Sequence, residues 1–265
     1  MRKLIAAMSL ALLLAGCGEE EGKNIGIPKM IDCDGCNKEV YSGAKDCPKC
    51  AYPVADSIDA YKEAQELARI RAEEERKAKP FGGLEVLAKI KRAKESGAAD
   101  LVLGGNKISD LSPLKGLTGL KGLSLYDNQI TDLSPLKELT NLEVLNLYNS
   151  QITDISPLKG LKYLEYLNLY QNKISDISPL AELTNLEMLY LNLNQISDLS
   201  PLAVLTNLKT LNLQHNQITD LSPLKGLTNL ERLYLSDNEI SEDQKAMIKK
   251  ALPKCYIEFI DWSRD

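Results

Sequence analysis

Apolar residues recur along this chain with a period of 22. From Leu101 the period holds through seven blocks, beginning at Leu101, Leu123, Leu145, Leu167, Leu189, Leu211 and Leu233. The second block shows the pattern: Leu123, Leu125, Ile130, Leu133, Leu136, Leu139 and Leu142 are apolar at fixed offsets. Leu123 and Leu125 alternate with polar positions, which predicts a short strand with one buried face. Leu133, Leu136 and Leu139 are spaced by three, which predicts a 3₁₀ turn. Before that turn stands Ser134-Pro135, with Ser expected as the cap and Pro at the first helical position. The pair recurs at 112–113, 156–157, 178–179, 200–201 and 222–223. One block cannot bury its own leucines. Stacked blocks can, so the pattern predicts a solenoid of identical units.

Polar positions repeat with the same period. Asn106, Asn128, Asn172, Asn194, Asn216 and Asn238 follow the strands. Buried amides there are expected to bond the open backbone of neighbouring turns as a ladder. Ser150 interrupts the series, at an expected cost of about 1 kcal/mol. The series Asp110, Asp132, Asp154, Asp176, Asp198 and Asp220 precedes each 3₁₀ turn and reads as turn capping, with calcium ligation as the alternative.

The repeating motif L-x-x-L-x-L-x-x-N-x-I-[ST]-D-[LI]-S-P-L resembles the 22-residue leucine-rich repeat of the internalin type. The resemblance covers 101–254 and implies an α/β solenoid of right-handed coil. Its parallel sheet lies on the concave side, with 3₁₀ or short helical segments on the convex side. It implies no particular ligand.

Solenoid ends need covers. A helix at Leu84–Ser96, with Leu84, Leu87, Ile90 and Ala93 as its apolar stripe and Gly97 as its stop, is expected as the N-terminal cap within 84–100. Ser241-Glu242-Asp243 starts a second helix holding Met247, Ile248 and Leu252, which Pro253 ends. Residues 255–265 form a closing strand and tail. The repeat would put Cys255 and Ile257 at the strand-leucine positions, with Cys255 a buried and inert thiol.

Before the repeats the composition changes. Residues 1–16 have a basic start, an apolar run too short to span a membrane, and small residues before Cys17. Leu14-Ala15-Gly16-Cys17 resembles a bacterial lipobox, which implies cleavage before Cys17 and lipid on that residue. An ordinary secretory signal or an uncleaved anchor is the alternative. Residue 18 is Gly rather than the Asp that retains such proteins at the inner membrane. In a cell with two membranes the outer one is therefore expected. Residues 17–30 read as a flexible tether.

Segment 31–54 carries Cys33-x2-Cys36 and Cys47-x2-Cys50. Two such hooks supply four thiolates for one tetrahedral zinc, and the segment resembles a bacterial zinc ribbon. Asn37 and Ala51 stand where that family commonly has Gly. A structural zinc is expected, since a segment this small needs a staple. Disulfides, which an oxidising compartment favours, and a redox-active dithiol are the alternatives. Segment 57–80 is charged and free of Gly and Pro until Pro80. It predicts a solvated helix of about 23 residues and about 35 Å, with Glu73–Lys77 and Glu75–Lys79 as i, i+4 pairs.

The outward strand positions carry the functional reading. Tyr126, Tyr148 and Tyr170 follow the second strand leucine in successive blocks and should stack at about 4.8 Å per rung. Tyr190 and Tyr234, with Tyr256 expected beyond them, lie between the leucines. Tyr166 and Met188 flank them, and the next outward row includes Asn149, Gln171, Leu193 and His215. Tyrosine offers stiff, amphipathic contact area. The same residues could equally serve the sheet alone, as cross-strand pairs.

With a net charge of −5 and no basic stripe, the face does not suit nucleic acid. It suits a partner protein, or a glycan. A membrane-anchored, exported recognition protein of the cell envelope is the leading expectation. A self-associating envelope scaffold is the alternative, and a thiol-redox or metal-handling role through the C-x2-C pairs is the third. An enzyme is not expected. The chain has one His, and no nucleophile, base and orienting group occur at a recognisable spacing.

Overall fold

A computed structural model describes the backbone at residues 30–32, 39–41 and 54–260. Cys17, Cys33, Cys36, Cys47 and Cys50, together with the leader at 1–16, lie outside the described residues. The chain divides into two units, Met1–Lys77 and Ala78–Asp265.

In the first unit, strands β1 (Met30–Asp32) and β2 (Glu39–Tyr41) pair antiparallel, with Ile31 opposite Val40. Helix α1 (Val54–Ala78) starts three residues earlier than expected and ends one residue sooner. Glu73 pairs with Lys77 at 2.8 Å and Glu66 with Arg69 at 3.0 Å. Lys79 stands beyond the helix end, in a 3₁₀ turn at Lys79–Phe81.

The second unit opens with that turn and a cap helix, α2 (Leu84–Ser96), which Gly97 ends in the left-handed conformation (φ 63°). The helix has the expected bounds but a different buried stripe. Val86, Ile90 and Ala93 are buried, whereas Leu84 and Leu87 are half-buried. The i, i+4, i+7 row that begins at Val86 is the one that meets the first block. Gly82 is required between them: a Cβ there would come within 2.9 Å of Ile108. The Pro80 carbonyl accepts from the Ser109 and Asp110 N–H groups at 2.8 and 2.9 Å, which ties the cap to the first rung.

Eight three-residue strands follow in one parallel sheet, in sequence order. They are β3 (Asp100–Val102), β4 (Gly122–Ser124), β5 (Val144–Asn146), β6 (Tyr166–Asn168), β7 (Met188–Tyr190), β8 (Thr210–Asn212), β9 (Arg232–Tyr234) and β10 (Tyr256–Glu258). From β3 to β9 the strand leucine of each block stands beside that of the next. The repeat leucines and isoleucines form one continuous core; those of the second block are at most 1% exposed. Each contributes roughly 1.5–3 kcal/mol by leaving water.

The last rung departs from the period. Ile257, not Cys255, stands beside Leu233, and Tyr256 stands beside Arg232 rather than Tyr234. The cause is helix α3 (Glu242–Ala251), which replaces the 3₁₀ segment of this block and lengthens the return path. Ser241 caps it, its side chain accepting from the Gln244 N–H. Cys255 is accordingly half-buried at the end of the core rather than within it. Its burial still pushes the thiol up to about 11, so it holds little thiolate at neutral pH.

The convex turns are 3₁₀ segments, each beginning at the Ser of a Ser-Pro pair, as at Ser134–Leu136 and Ser178–Glu182. The Ser does not cap them. The carboxylate two residues earlier does: Asp110, Asp132, Asp154, Asp176, Asp198 and Asp220 each accept from the Ser backbone N–H at 2.7–2.8 Å. Hydrogen bonds from the Ser hydroxyl and N–H hold the Asp132, Asp198 and Asp220 carboxyls below their usual range. The Asp-then-Ser-Pro order is thus a turn device in which the acid fills the first open donor.

The Asn ladder closes the other side of each turn. Asn172 Oδ1 accepts from the Ile152 N–H of the previous block at 3.1 Å. Its Nδ2 reaches Leu147 O and Leu169 O, each at 3.1 Å. Asn128, Asn194, Asn216 and Asn238 repeat these bonds. Ser150 does not: its Oγ is buried without a partner. We expect Ser150→Asn to restore the rung and raise stability by about 1–3 kcal/mol, read as a higher urea midpoint. An unchanged or lower midpoint would show that the third block has relaxed around the serine.

Candidate binding face

The outward side chains of the sheet form rows across the rungs. Between the buried leucines run Val102, Ser124, Asn146, Asn168, Tyr190, Asn212 and Tyr234, and then Glu258. Before the first leucine run Asp100, Gly122, Val144, Tyr166, Met188, Thr210, Arg232 and Tyr256 by the same pairing. After the second leucine lies the row containing Tyr126, Tyr148 and Tyr170.

The tyrosines fall into three groups rather than one. Tyr126 stacks on Tyr148, with ring centroids 5.2 Å apart and planes at 10°. Tyr148 meets Tyr170 at 6.1 Å with planes tilted by 39°. Tyr126 leans over Gly104, where a Cβ would collide with its ring. Tyr166 and Tyr190 form a second pair at 5.6 Å, diagonal across β6 and β7. Tyr234 and Tyr256 form an edge-on pair at 6.2 Å. Tyr256, at 58% exposed, belongs to the Tyr166 row and not to the Tyr234 row where the period had put it. Burial raises the phenols of Tyr148 and Tyr166, and the Asp127 carboxylate adds to the rise at Tyr148. Both phenols stay protonated at neutral pH; the Tyr148 hydroxyl donates to Asp127 and the Tyr166 hydroxyl accepts from Asn168 Nδ2.

The next row shares a backbone property. Gly105, Asp127, Asn149, Gln171, Leu193, His215 and Asp237 all take positive φ, between 52° and 73°. The chain turns there out of the strand, and from Gly105 to His215 each N–H of the row still bonds the next rung, as Gln171 N–H does Asn192 O at 2.9 Å. Asp127 gathers Asn149 Nδ2 at 2.6 Å and the Tyr148 hydroxyl at 3.3 Å.

His215 sits in this row, half-exposed, with Nε2 3.3 Å from Asp237 Oδ2. That oxygen is buried, and the contact lacks hydrogen-bond geometry. On β10, Glu258 accepts from Gln214 Nε2 at 2.8 Å and from the Ser236 hydroxyl at 3.2 Å, which binds the closing strand to the face. These contacts fasten the last rungs together. Among the described residues no cluster of His, Cys, Asp and Glu is placed to hold a metal ion, which leaves turn capping as the role of the Asp series. No described helix is long and apolar enough to cross a membrane.

The profile described as Leucine Rich repeats (2 copies) matches residues 100–138, 118–160, 140–182, 164–204 and 206–245, more than half of the chain. The chain belongs to the leucine-rich repeat family. Among solved structures it is similar to internalin C2 of Listeria monocytogenes, at 41% identity and a TM-score of 0.58, over 61% of this chain and 70% of that one. A second Listeria monocytogenes internalin matches at 33% identity and 0.59, over 66% and 55% of the two chains. A leucine-rich repeat protein of Leptospira interrogans matches at 33% and 0.53, over 60% and 48%. The chain thus spans about half the length of the last two. No curated protein matches it. Leucine-rich repeats of the internalin kind are generally protein-interaction modules rather than enzymes.

Sequence periodicity located the tyrosine rows and placed Leu193 in the next outward row with Asn149, Gln171 and His215, but missed Asp127, Asp237 and Glu258. These three lie at or just beyond strand ends, where only the three-dimensional turn shows which rung they meet. Leu193 is the apolar residue in an otherwise polar or glycine row. If the ladder serves the surface rather than the sheet, Tyr148→Ala should cost about 1 kcal/mol. Leu147→Ala beside it should cost about 2–5 kcal/mol. Equal losses in thermal denaturation would make the tyrosine row part of the sheet's stability.

Proposed function

We propose that this leucine-rich repeat protein is an exported, lipid-anchored recognition protein that binds a partner protein on the concave face of its sheet. The observation that carries the reading is the half-exposed aromatic surface on β4–β7. Large amphipathic side chains are held there in fixed stacks on a rigid parallel sheet. Rigid tyrosines give contact area at little entropic cost, which is why such residues dominate interfaces. The likeness to internalins supports the reading at the level of the module.

In this proposal lipid on Cys17 fixes the chain to a bacterial envelope membrane, the outer one where there are two. Cys33, Cys36, Cys47 and Cys50 hold one structural zinc. The β1–β2 hairpin supports the zinc reading, because Cys33 follows β1 directly and the first hook falls between its two strands. A closed four-thiolate site leaves no open position for catalysis.

Two experiments test the proposal. Crosslinking and pull-down from native envelopes should capture a partner with the wild type and lose it with a folded Tyr126→Ala/Tyr148→Ala/Tyr170→Ala variant. Equal capture by both would move the binding surface elsewhere. Thiol titration of the folded protein should show the four hook cysteines protected until a zinc chelator is added. Protection that yields only to a reductant would replace the metal with disulfides.

A further inference from the structure

The outward face is not uniform along the sheet. Over β5–β7 apolar and aromatic side chains occur in every outward row, interleaved with Asn146, Asn168 and Asn192. Val144 (44% exposed), Tyr166 and Met188 (38% exposed) lie before the first leucine, Tyr190 lies between the leucines, and Tyr170 and Leu193 (38% exposed) lie beyond them. Toward β3 and β10 the same rows gain charged side chains, Asp100, Arg232 and Glu258, beside Val102, Tyr234 and Tyr256. Leu193 is the most telling member. The other positions of its left-handed row are Gly, Asp, Asn, Gln, His and Asp. Leucine is a poor occupant of that backbone region, where Asn, Asp and Gly are favoured. It is also an exposed apolar side chain. Both features disfavour it in the isolated fold, and neither is repaid by core packing.

The charge along the leading edge of these strands has a matching gap. Glu143, Glu165 and Glu187 precede β5, β6 and β7 and sit on successive rungs about 4.8 Å apart. Lys121 pairs with Glu143 at 2.8 Å and Lys209 with Glu187 at 2.7 Å. These bonds, with a small addition from the Glu165 charge, hold both lysines above their usual range. Glu165 itself, exposed and adjacent to Tyr166, has no ion pair among the described residues. Lys121 and Lys209, which feel its charge, are each committed to another glutamate.

We propose that this patch receives a segment of a partner protein that carries an arginine or lysine beside apolar or aromatic side chains, the cation at Glu165 and the apolar groups on Tyr166, Met188, Tyr190 and Leu193. The proposal rests on the reading of the sheet face as a protein-binding surface. Its dimensions are modest. At about 3.3 Å per residue, the path from the Glu165 edge to the Leu193 edge is matched by roughly six residues of extended chain.

The test uses a phage-displayed library of random dodecapeptides panned on the full-length protein. Enriched peptides are then synthesised and titrated against wild type, Glu165→Gln, Leu193→Asn and Tyr126→Ala. Enriched sequences should place a basic residue within six positions of an aromatic or aliphatic one. Glu165→Gln should weaken them about fivefold at low salt, with the gap closing at high salt. Leu193→Asn should weaken them about tenfold or more, while its melting temperature stays level or rises because Asn suits the left-handed backbone. Peptides without a basic residue, or binding indifferent to Glu165→Gln, would overturn the cation site and leave the face a protein-binding surface. Absence of enrichment, or peptides indifferent to Leu193→Asn and Tyr126→Ala alike, would overturn both. A glycan-array signal lost in Tyr148→Ala would assign the face to carbohydrate and equally overturn both.

Discussion

Everything in the repeat unit depends on one constraint: a parallel rung can be added only if its strand leucine stands beside the leucine already in place. The backbone bonds between rungs and the shared core enforce the same register, because a slip of one residue would turn every leucine outward. The Asn ladder makes that register hard to lose. Each amide both accepts from the previous block and donates to carbonyls of two blocks, so it fits at one offset only. A 22-residue period is thus the shortest statement of a set of bonds that must all close together.

The same constraint explains what could be read from the chain alone. The strands, the 3₁₀ turns and the tyrosine stack all follow from periodicity, because each block supplies the boundary conditions of the next. Reading failed where a block lacks that neighbour. Helix α3 has no following repeat to match, so its length is free, and the closing strand shifted to put Ile257 where Cys255 was expected. At the other end, Val86 rather than Leu84 or Leu87 faces the core, since α2 packs against a rung and not against another helix of its kind. The capping role of Ser was misjudged for a local reason. Asp two residues earlier accepts from the Ser's own N–H with a charged oxygen, so the segment begins at Ser and Ser is its first residue rather than its cap.

The candidate site was legible to a different degree. Which residues face outward follows from strand alternation, and the stacked tyrosines were visible as a column in the aligned blocks. Their division into three groups was not, because it depends on ring tilts and on diagonal contacts such as Tyr166 with Tyr190. The positive φ of the whole Asp127-to-Asp237 row was legible only in part. Gly105, Asp127, Asn149 and Asp237 favour that conformation by type, whereas Gln171 and Leu193 are held in it with N–H bonds to the next rung, which are independent of side-chain type.

That independence separates stability from recognition in this architecture. The leucines, the Asn ladder and the Asp caps carry the fold from the buried and convex sides. The outward rows are then left with few structural duties, and a residue there can be unfavourable to its own rung without unseating the stack. Ser150 shows how much a single rung tolerates: it leaves a buried hydroxyl unpaired, yet Leu145 and Leu147 beside it remain fully buried. Leu193 departs from its row in the opposite sense, on the surface rather than in the core. A loss in the ladder can be explained as tolerated damage, because the neighbouring rungs hold the register. An exposed leucine in a left-handed turn is set among the most apolar stretch of the face, with Tyr190 and Met188 on the same rung. Its placement therefore argues for a role outside the fold, and the sheet provides the rigidity that lets such a residue be presented at all.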